Sequence, residues 1–169
     1  MLIDAGCFGK EKLELLFGVV AQIPLPSPEH EEAVYRISTA LTLAVGKRAK
    51  VRTRLSFAAS DVSQPVPDVL LAPPGNYWNE HPSRAHLVVE VSHQHPHRDR
   101  ALKQKLYAEA DVEEYWIVDL DRDVIAVHRE RIGGRWRSID QFSHGERIAP
   151  MAMPDIAIAV DDVLPVALR

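Results

Sequence analysis

Residues 67–91 read PDVLLAPPGNYWNEHPSRAHLVVEV: two apolar runs joined by a proline-rich bridge, each run carrying one carboxylate. Asp68 follows Pro67 at the head of VLLA, and Glu90 sits inside LVVEV. A short continuous apolar run predicts a strand covered on both faces. Three prolines, Gly75 and Asn76 make residues 73–83 a loop. A charge inside a covered strand is costly unless it is paired or binds a cation. Two such acids on neighbouring strands would form a hard oxygen site of the type Mg²⁺ accepts. The plainer readings are a cap or turn role for Asp68 and a cross-sheet arginine partner for Glu90.

Downstream, residues 93–98 (HQHPHR) form a polar connection into a helix expected over 99–110, with Leu102, Leu106 and Ala110 on its buried side. Asp99, Lys103 and Tyr107 lie along one face of that helix. An Asp–Lys pair at this spacing is ordinarily a surface pair worth a few tenths of a kcal/mol. Lys103 gains weight only when read together with the two acids. Residues 114–118 (EYWIV) and 124–129 (VIAVHR) are strands joined by a turn at 119–123, and Gly133-Gly134 separates 131–132 from a strand at 135–139. The tail, residues 156–163, is expected to cap the sheet.

Upstream, residues 13–23 (LELLFGVVAQI) read as two short strands with a tight turn at Gly18. A helix follows, with Ser27 as N-cap, Pro28 in its first turn, and Glu29, Glu31 and Glu32 at the positive end of its dipole. Val34, Ile37, Leu41 and Val45 recur at helical spacing, and Gly46 with Lys47 closes the helix. In KVRTRLSF (50–57) the alternation puts Lys50, Arg52 and Arg54 on one face of a strand. The order ββαβββαβββ predicts an α/β (or α+β) fold with a mixed central sheet.

At 169 residues, with 46% apolar and 26% charged side chains, the chain is expected to form one globular domain. It is long enough to bury roughly two-thirds of its unfolded surface. Cys7 alone excludes an internal disulfide and fits a reducing compartment, and no apolar run approaches the ~20 residues of a spanning helix. The expected setting is cytoplasmic. A net charge of −4 speaks against indiscriminate nucleic-acid binding, which rests on neutralising phosphates. Thirteen of the twenty basic residues nevertheless fall in three clusters: Lys47 to Arg54, Arg98 to Lys105, and Arg129 to Arg137. They form either three solvated faces or a shared basic groove.

The stretch 67–129 resembles a large bacterial family of restriction-endonuclease-like proteins within the PD-(D/E)XK superfamily. The residues that carry the resemblance are Pro67-Asp68, Glu90-Val91, Asp99, Lys103, Tyr107 and Glu114-Tyr115-Trp116 with Asp119. The Gly18 turn and His30, near the start of the first helix, agree with it, so the likeness spans about residues 13 to 140. It implies a restriction-endonuclease-like mixed sheet flanked by helices. It also implies that Asp68 and Glu90 hold Mg²⁺ (or Mn²⁺), helped by the carbonyl after the glutamate. The superfamily's lysine, two residues beyond the glutamate, is here Ser92, and Lys103 is the matching candidate. Asp111 stands where the family has glycine. Arg52, Arg54, Arg98 and Arg100 would contact nucleic acid, with His30, Ser92 and Tyr107 in support.

Two functions follow. One is a Mg²⁺-dependent phosphodiesterase acting on DNA as a homodimer, with Asp68, Glu90 and Lys103 catalytic. The other is a binding or regulatory module that keeps the fold without turnover, favoured by the acidic charge, Ser92 and Asp111. His93, His95 and His97 are a rival set of ligands for Zn²⁺, weakened by Pro96 and the loop context. Trp78, Trp116 and Trp136 read as core or interface aromatics, and Cys7 has no nucleophile context.

Overall fold

A computed structural model describes residues 12–94 and 97–165, without the side chains of 97–99. A hairpin of β1 (Leu13–Leu16) and β2 (Val19–Gln22) leads into helix α1 (Pro28–Val45). Strands β3 (Lys50–Thr53), β4 (Val69–Ala72) and β5 (Leu87–Ser92) follow, then helix α2 (His97–Glu109). Strands β6 (Tyr115–Asp119), β7 (Val124–Ile132) and β8 (Arg135–Phe142) complete the main sheet. A small pair, β9 (Arg147–Ile148) and β10 (Ile158–Ala159), ends in a 3-10 turn at Val160–Asp162. The six-stranded sheet runs in chain order, β3 to β8. Its one parallel pairing is β5 with β6. That is where a parallel step needs a crossover, and α2 supplies it.

Ser27 caps α1 by accepting from the His30 N–H, Pro28 fills the first turn, and Gly46 ends the helix at φ 57°. Val34, Ile37, Leu41 and Val45 then pack on one sheet face with Val69, Leu71, Val89, Trp116 and Val118. The opposite face holds α2: Leu106, Tyr107 and Ala110 meet Leu70, Val88, Tyr115 and Ile117. Alternation along β4 and β5 therefore decides which helix each residue meets. The central strands β4, β5 and β6 are covered on both faces, as their unbroken apolar runs require. The β7–β8 turn needs left-handed backbone at Gly133 (φ 57°) and Gly134 (φ 68°). A Cβ at Gly134 would come within 2.9 Å of the Glu109 side chain at the end of α2. Among the described residues, no helix is long and apolar enough to cross a membrane.

The structure corrects two expectations. The strand from Lys50 stops at Thr53, because Arg54 adopts φ 51°. Alternation ends there and Arg54 no longer shares a face with Lys50 and Arg52, both of which lie against the Tyr77 ring. Leu102 is 38% exposed, since the inward stripe of α2 runs through Lys103, Leu106, Tyr107 and Ala110. Of the basic clusters, Arg54 of the first and Arg100 and Lys103 of the second line one cleft, while Arg48 pairs with Asp155 and Arg129 with Glu114.

Candidate active site

Asp68 lies one residue before β4 and Glu90 lies within β5. The antiparallel register pairs Val69 with Val89 and Leu70 with Val88. Continued by one step, it sets Asp68 opposite Glu90. Directly opposed positions bring Cβ atoms within about 5 Å. Both acids have the parity of the α2 face. They line one cleft of about 950 Å³, with His30, Arg54 and Lys103 among its other walls.

Asp68 is held from three sides. Its Oδ2 accepts from the Val91 N–H at 2.9 Å and lies 3.0 Å from His30 Nε2. Arg54 Nε stands 3.5 Å from its Oδ1. Arg54 Nη2 is also 3.1 Å from His30 Nδ1. A guanidinium can only donate, so His30 Nδ1 accepts, and its proton sits on Nε2, facing Asp68. Burial alone would raise the Asp68 carboxyl. The His30 and Val91 N–H donors, with the Lys103 charge nearby, overcome this and hold it below its ordinary value.

Glu90 Oε1 accepts from Lys103 Nζ at 3.0 Å and from the Tyr107 hydroxyl at 2.7 Å. Lys103 and Tyr107 occupy successive turns of α2, which explains why both reach one carboxylate. Burial dominates here: it pushes Glu90 up to about 7 despite Lys103, and the Asp68 charge pushes the same way. Burial would lower Lys103, but Glu90 and Glu14 overcome it and raise the amine. Burial and the Glu90 charge raise the Tyr107 hydroxyl.

Sequence reasoning missed Glu14. Its Oε2 lies 3.3 Å from Lys103 Nζ and accepts from the Val66 N–H at 3.1 Å. The signal was present, an acid inside the apolar LELL, but a two-stranded hairpin ordinarily turns one face to water and so carries acids freely.

Of the other expected site residues, Ser92 and Arg100 line the cleft, and Arg52 is not among its walls. Ser92 ends β5 opposite Asp119, and its carbonyl accepts from the Leu120 N–H. Arg100 donates to buried Asp119 at 2.7 Å, and Arg52 stacks on Tyr77 with its Nε buried and unbonded. The side chains of Arg98 and Asp99 lie outside the described residues, as do those of His95 and His97. His93 Nδ1 instead meets Ser27 Oγ at 3.0 Å. No group of three or more metal-ligating side chains is assembled among the described residues. Glu114 is fully buried between Arg129 and the Met151 N–H, and Asp111 pairs with Arg84.

Asp68 and Glu90 stand at opposed strand positions and are both carboxylates, the oxygen chemistry that a hard divalent cation takes.

A family model described as "Putative restriction endonuclease", Uma2, matches residues 7–161. The chain belongs to the Uma2 family. No curated protein matches it. Among solved structures, the fold is similar to that of a nuclease assigned as putative, belonging to DUF820, from Anabaena variabilis ATCC 29413. The TM-score is 0.77 at 14% identity, covering 91% of this chain and 90% of that one. At that identity the likeness speaks for the fold alone: the two chains share the mixed six-stranded sheet with its two helices. In this chain the residues that carry the family resemblance divide by place. Asp68, Glu90 and Lys103 face the cleft, whereas Glu114 supports the sheet and Asp119 holds Arg100.

Proposed function

We propose that this Uma2-family chain hydrolyses DNA phosphodiester bonds with a divalent cation, Mg²⁺ or Mn²⁺, held by Asp68 and Glu90. The observation that carries the reading is the cross-strand pairing of these two acids in one cleft, with the Lys103 amine on Glu90. The bound cation would lower the pKa of the attacking water and stabilise charge developing on the phosphate.

The chain's own residues do the rest. His30 and the Val91 N–H fix Asp68 Oδ2, and Tyr107 fixes Glu90 Oε1. Lys103 supplies the charge that the missing lysine at Ser92 would have supplied, from α2 instead of β5. As one phosphorus–oxygen bond forms to water and one ester bond breaks, the ammonium offsets the added negative charge.

Charge in the cleft favours loading before substrate. Lys12, Arg54, Arg100 and Lys103 there are balanced by Glu14, Glu31, Asp68 and Glu90. A divalent cation tips this balance to positive, which an anionic DNA backbone requires of a chain with net charge −4. A symmetric pair of chains would offer two such clefts to two strands.

Plasmid incubated with Mg²⁺ or Mn²⁺ tests the reading. Wild type is expected to nick or linearise it, and Asp68→Asn and Glu90→Gln to fall to background. Lys103→Ala is expected to lose about 10²–10³-fold, the scale of one lost charge-stabilising group. Cleavage that survives both acid substitutions would place the chemistry elsewhere. A folded wild type that leaves DNA intact but shifts it on a gel would favour the binding module. That alternative draws on Ser92, which stands where the superfamily has its lysine, and on Asp111 in place of glycine.

A further inference from the structure

Glu14 is a buried carboxylate that the proposed chemistry does not use. It belongs to β1, a strand outside the six-stranded sheet, yet it lines the cleft beside Lys103. Its residue is 7% exposed. Its Oε2 lies within reach of two donors, the Val66 N–H at 3.1 Å and Lys103 Nζ at 3.3 Å. Lys103 thus stands between two acids, 3.0 Å from Glu90 on one side and 3.3 Å from Glu14 on the other. The Val66 N–H fixes Glu14 where it is, because a buried carboxylate with a backbone donor has little reason to swing.

The geometry points to Glu14 as the positioning residue for Lys103: it is the anion that keeps the ammonium when a divalent cation takes Glu90. This rests on the reading of Asp68 and Glu90 as a cation site. A cation on Glu90 competes with the Lys103 ammonium for the same carboxylate. Without a second acceptor the amine would be displaced into a buried cleft as an unpaired charge, which is costly. With Glu14 in place, the amine needs only to shift its weight from one partner to the other. It stays beside the cation, where the charge of a phosphate develops. The Tyr107 hydroxyl remains as the Glu90 donor throughout, so the carboxylate keeps its orientation.

The test is direct Mn²⁺ binding, measured by titration calorimetry on wild type, Glu14→Gln, Lys103→Met and the double variant. Circular dichroism confirms that each is folded. Glu14→Gln keeps the shape and an acceptor for Val66 but loses the charge. It is expected to weaken Mn²⁺ binding by roughly 10–100-fold, the range for a lost supporting partner at a metal site. Lys103→Met removes the competitor and is expected to bind at least as tightly as wild type. The deciding arm is the double variant, which should match Lys103→Met, because Glu14 acts only through the amine. If Glu14→Gln does not fold, the comparison of Lys103→Met with the double variant carries the test alone. A double variant weaker than Lys103→Met would make Glu14 a ligand or a general support and overturn the assignment. An unchanged Glu14→Gln affinity would overturn it as well. Wild type that binds no Mn²⁺ removes the cation site itself, and the role of Glu14 with it.

Discussion

Tyr107 shows how a single side chain can serve both stability and the site. It is fully buried, its ring lies 5.1 Å from Tyr115, and its hydroxyl ends on Glu90 Oε1 at 2.7 Å. Tyr107→Phe keeps the ring packing and removes one hydrogen bond to a charged acceptor. The expected cost is about 1.5–3 kcal/mol in denaturant unfolding, unless Glu90 becomes protonated and absorbs part of it. A loss below about 0.5 kcal/mol would mean that the hydroxyl does not support Glu90. At this scale the sequence was informative where burial made a charge anomalous. Asp68 and Glu90 stood out because each interrupts an apolar run. His30 was visible only through the family pattern, since a histidine in a first helical turn has many uses. The link from Arg54 through His30 to Asp68 depends on the positive φ of Arg54, and nothing in KVRTRLSF announces that bend.

Elements set which of these residues can meet. In α2 the expected stripe of Leu102, Leu106 and Ala110 gives way to one that includes Lys103, as burial of the amine is offset by two carboxylates. Periodicity alone favours leucine over lysine at an inward position, so that shift was not legible. The start of α1 was, because Ser27 and Pro28 each act through local backbone chemistry that tertiary packing rarely overrides. Between β6 and β7, Glu114 and Arg129 form an ion pair at 2.7 Å with the carboxylate fully buried. Arg129→Met should cost about 3–5 kcal/mol, as it strands that carboxylate. Adding Glu114→Gln should recover most of the loss, and a double variant no more stable than the single would contradict this. On β7, His128 contacts Gln104 of α2 at 2.9 Å and Trp136 of β8. Burial holds its pKa below the ordinary 6.5. The folded state thus takes up this proton less readily than the unfolded chain. The stability it contributes is present above about pH 6.5 and is lost as pH falls through the depressed value. Between pH 7.5 and 5, wild type should lose more stability in urea than His128→Gln does. Equal pH slopes would show that His128 is not the group responsible.

Across the whole molecule, the order ββαβββαβββ, the mixed sheet and the helix between β5 and β6 were readable from turn residues and apolar periods alone. What escaped was register, which depends on side-chain packing across strands. Register matters most here, since one residue of slip between β4 and β5 would turn Asp68 away from Glu90. The small β9–β10 pair was also illegible, as two-residue strands carry no period. The three basic clusters read as similar in the sequence, and only the fold sorts them: Arg54, Arg100 and Lys103 line one cleft, whereas Arg48 and Arg129 are taken up by Asp155 and Glu114. The central claim is that Asp68 and Glu90 share one divalent cation. Crystals of the wild-type protein grown with Mn²⁺ and measured at the manganese absorption edge test it most directly. The account predicts one anomalous peak within about 2.0–2.3 Å of a carboxylate oxygen from each residue, the range of hard-cation ligand distances. A peak bound by other residues, or a well-ordered cleft with no peak in saturating Mn²⁺, would contradict it.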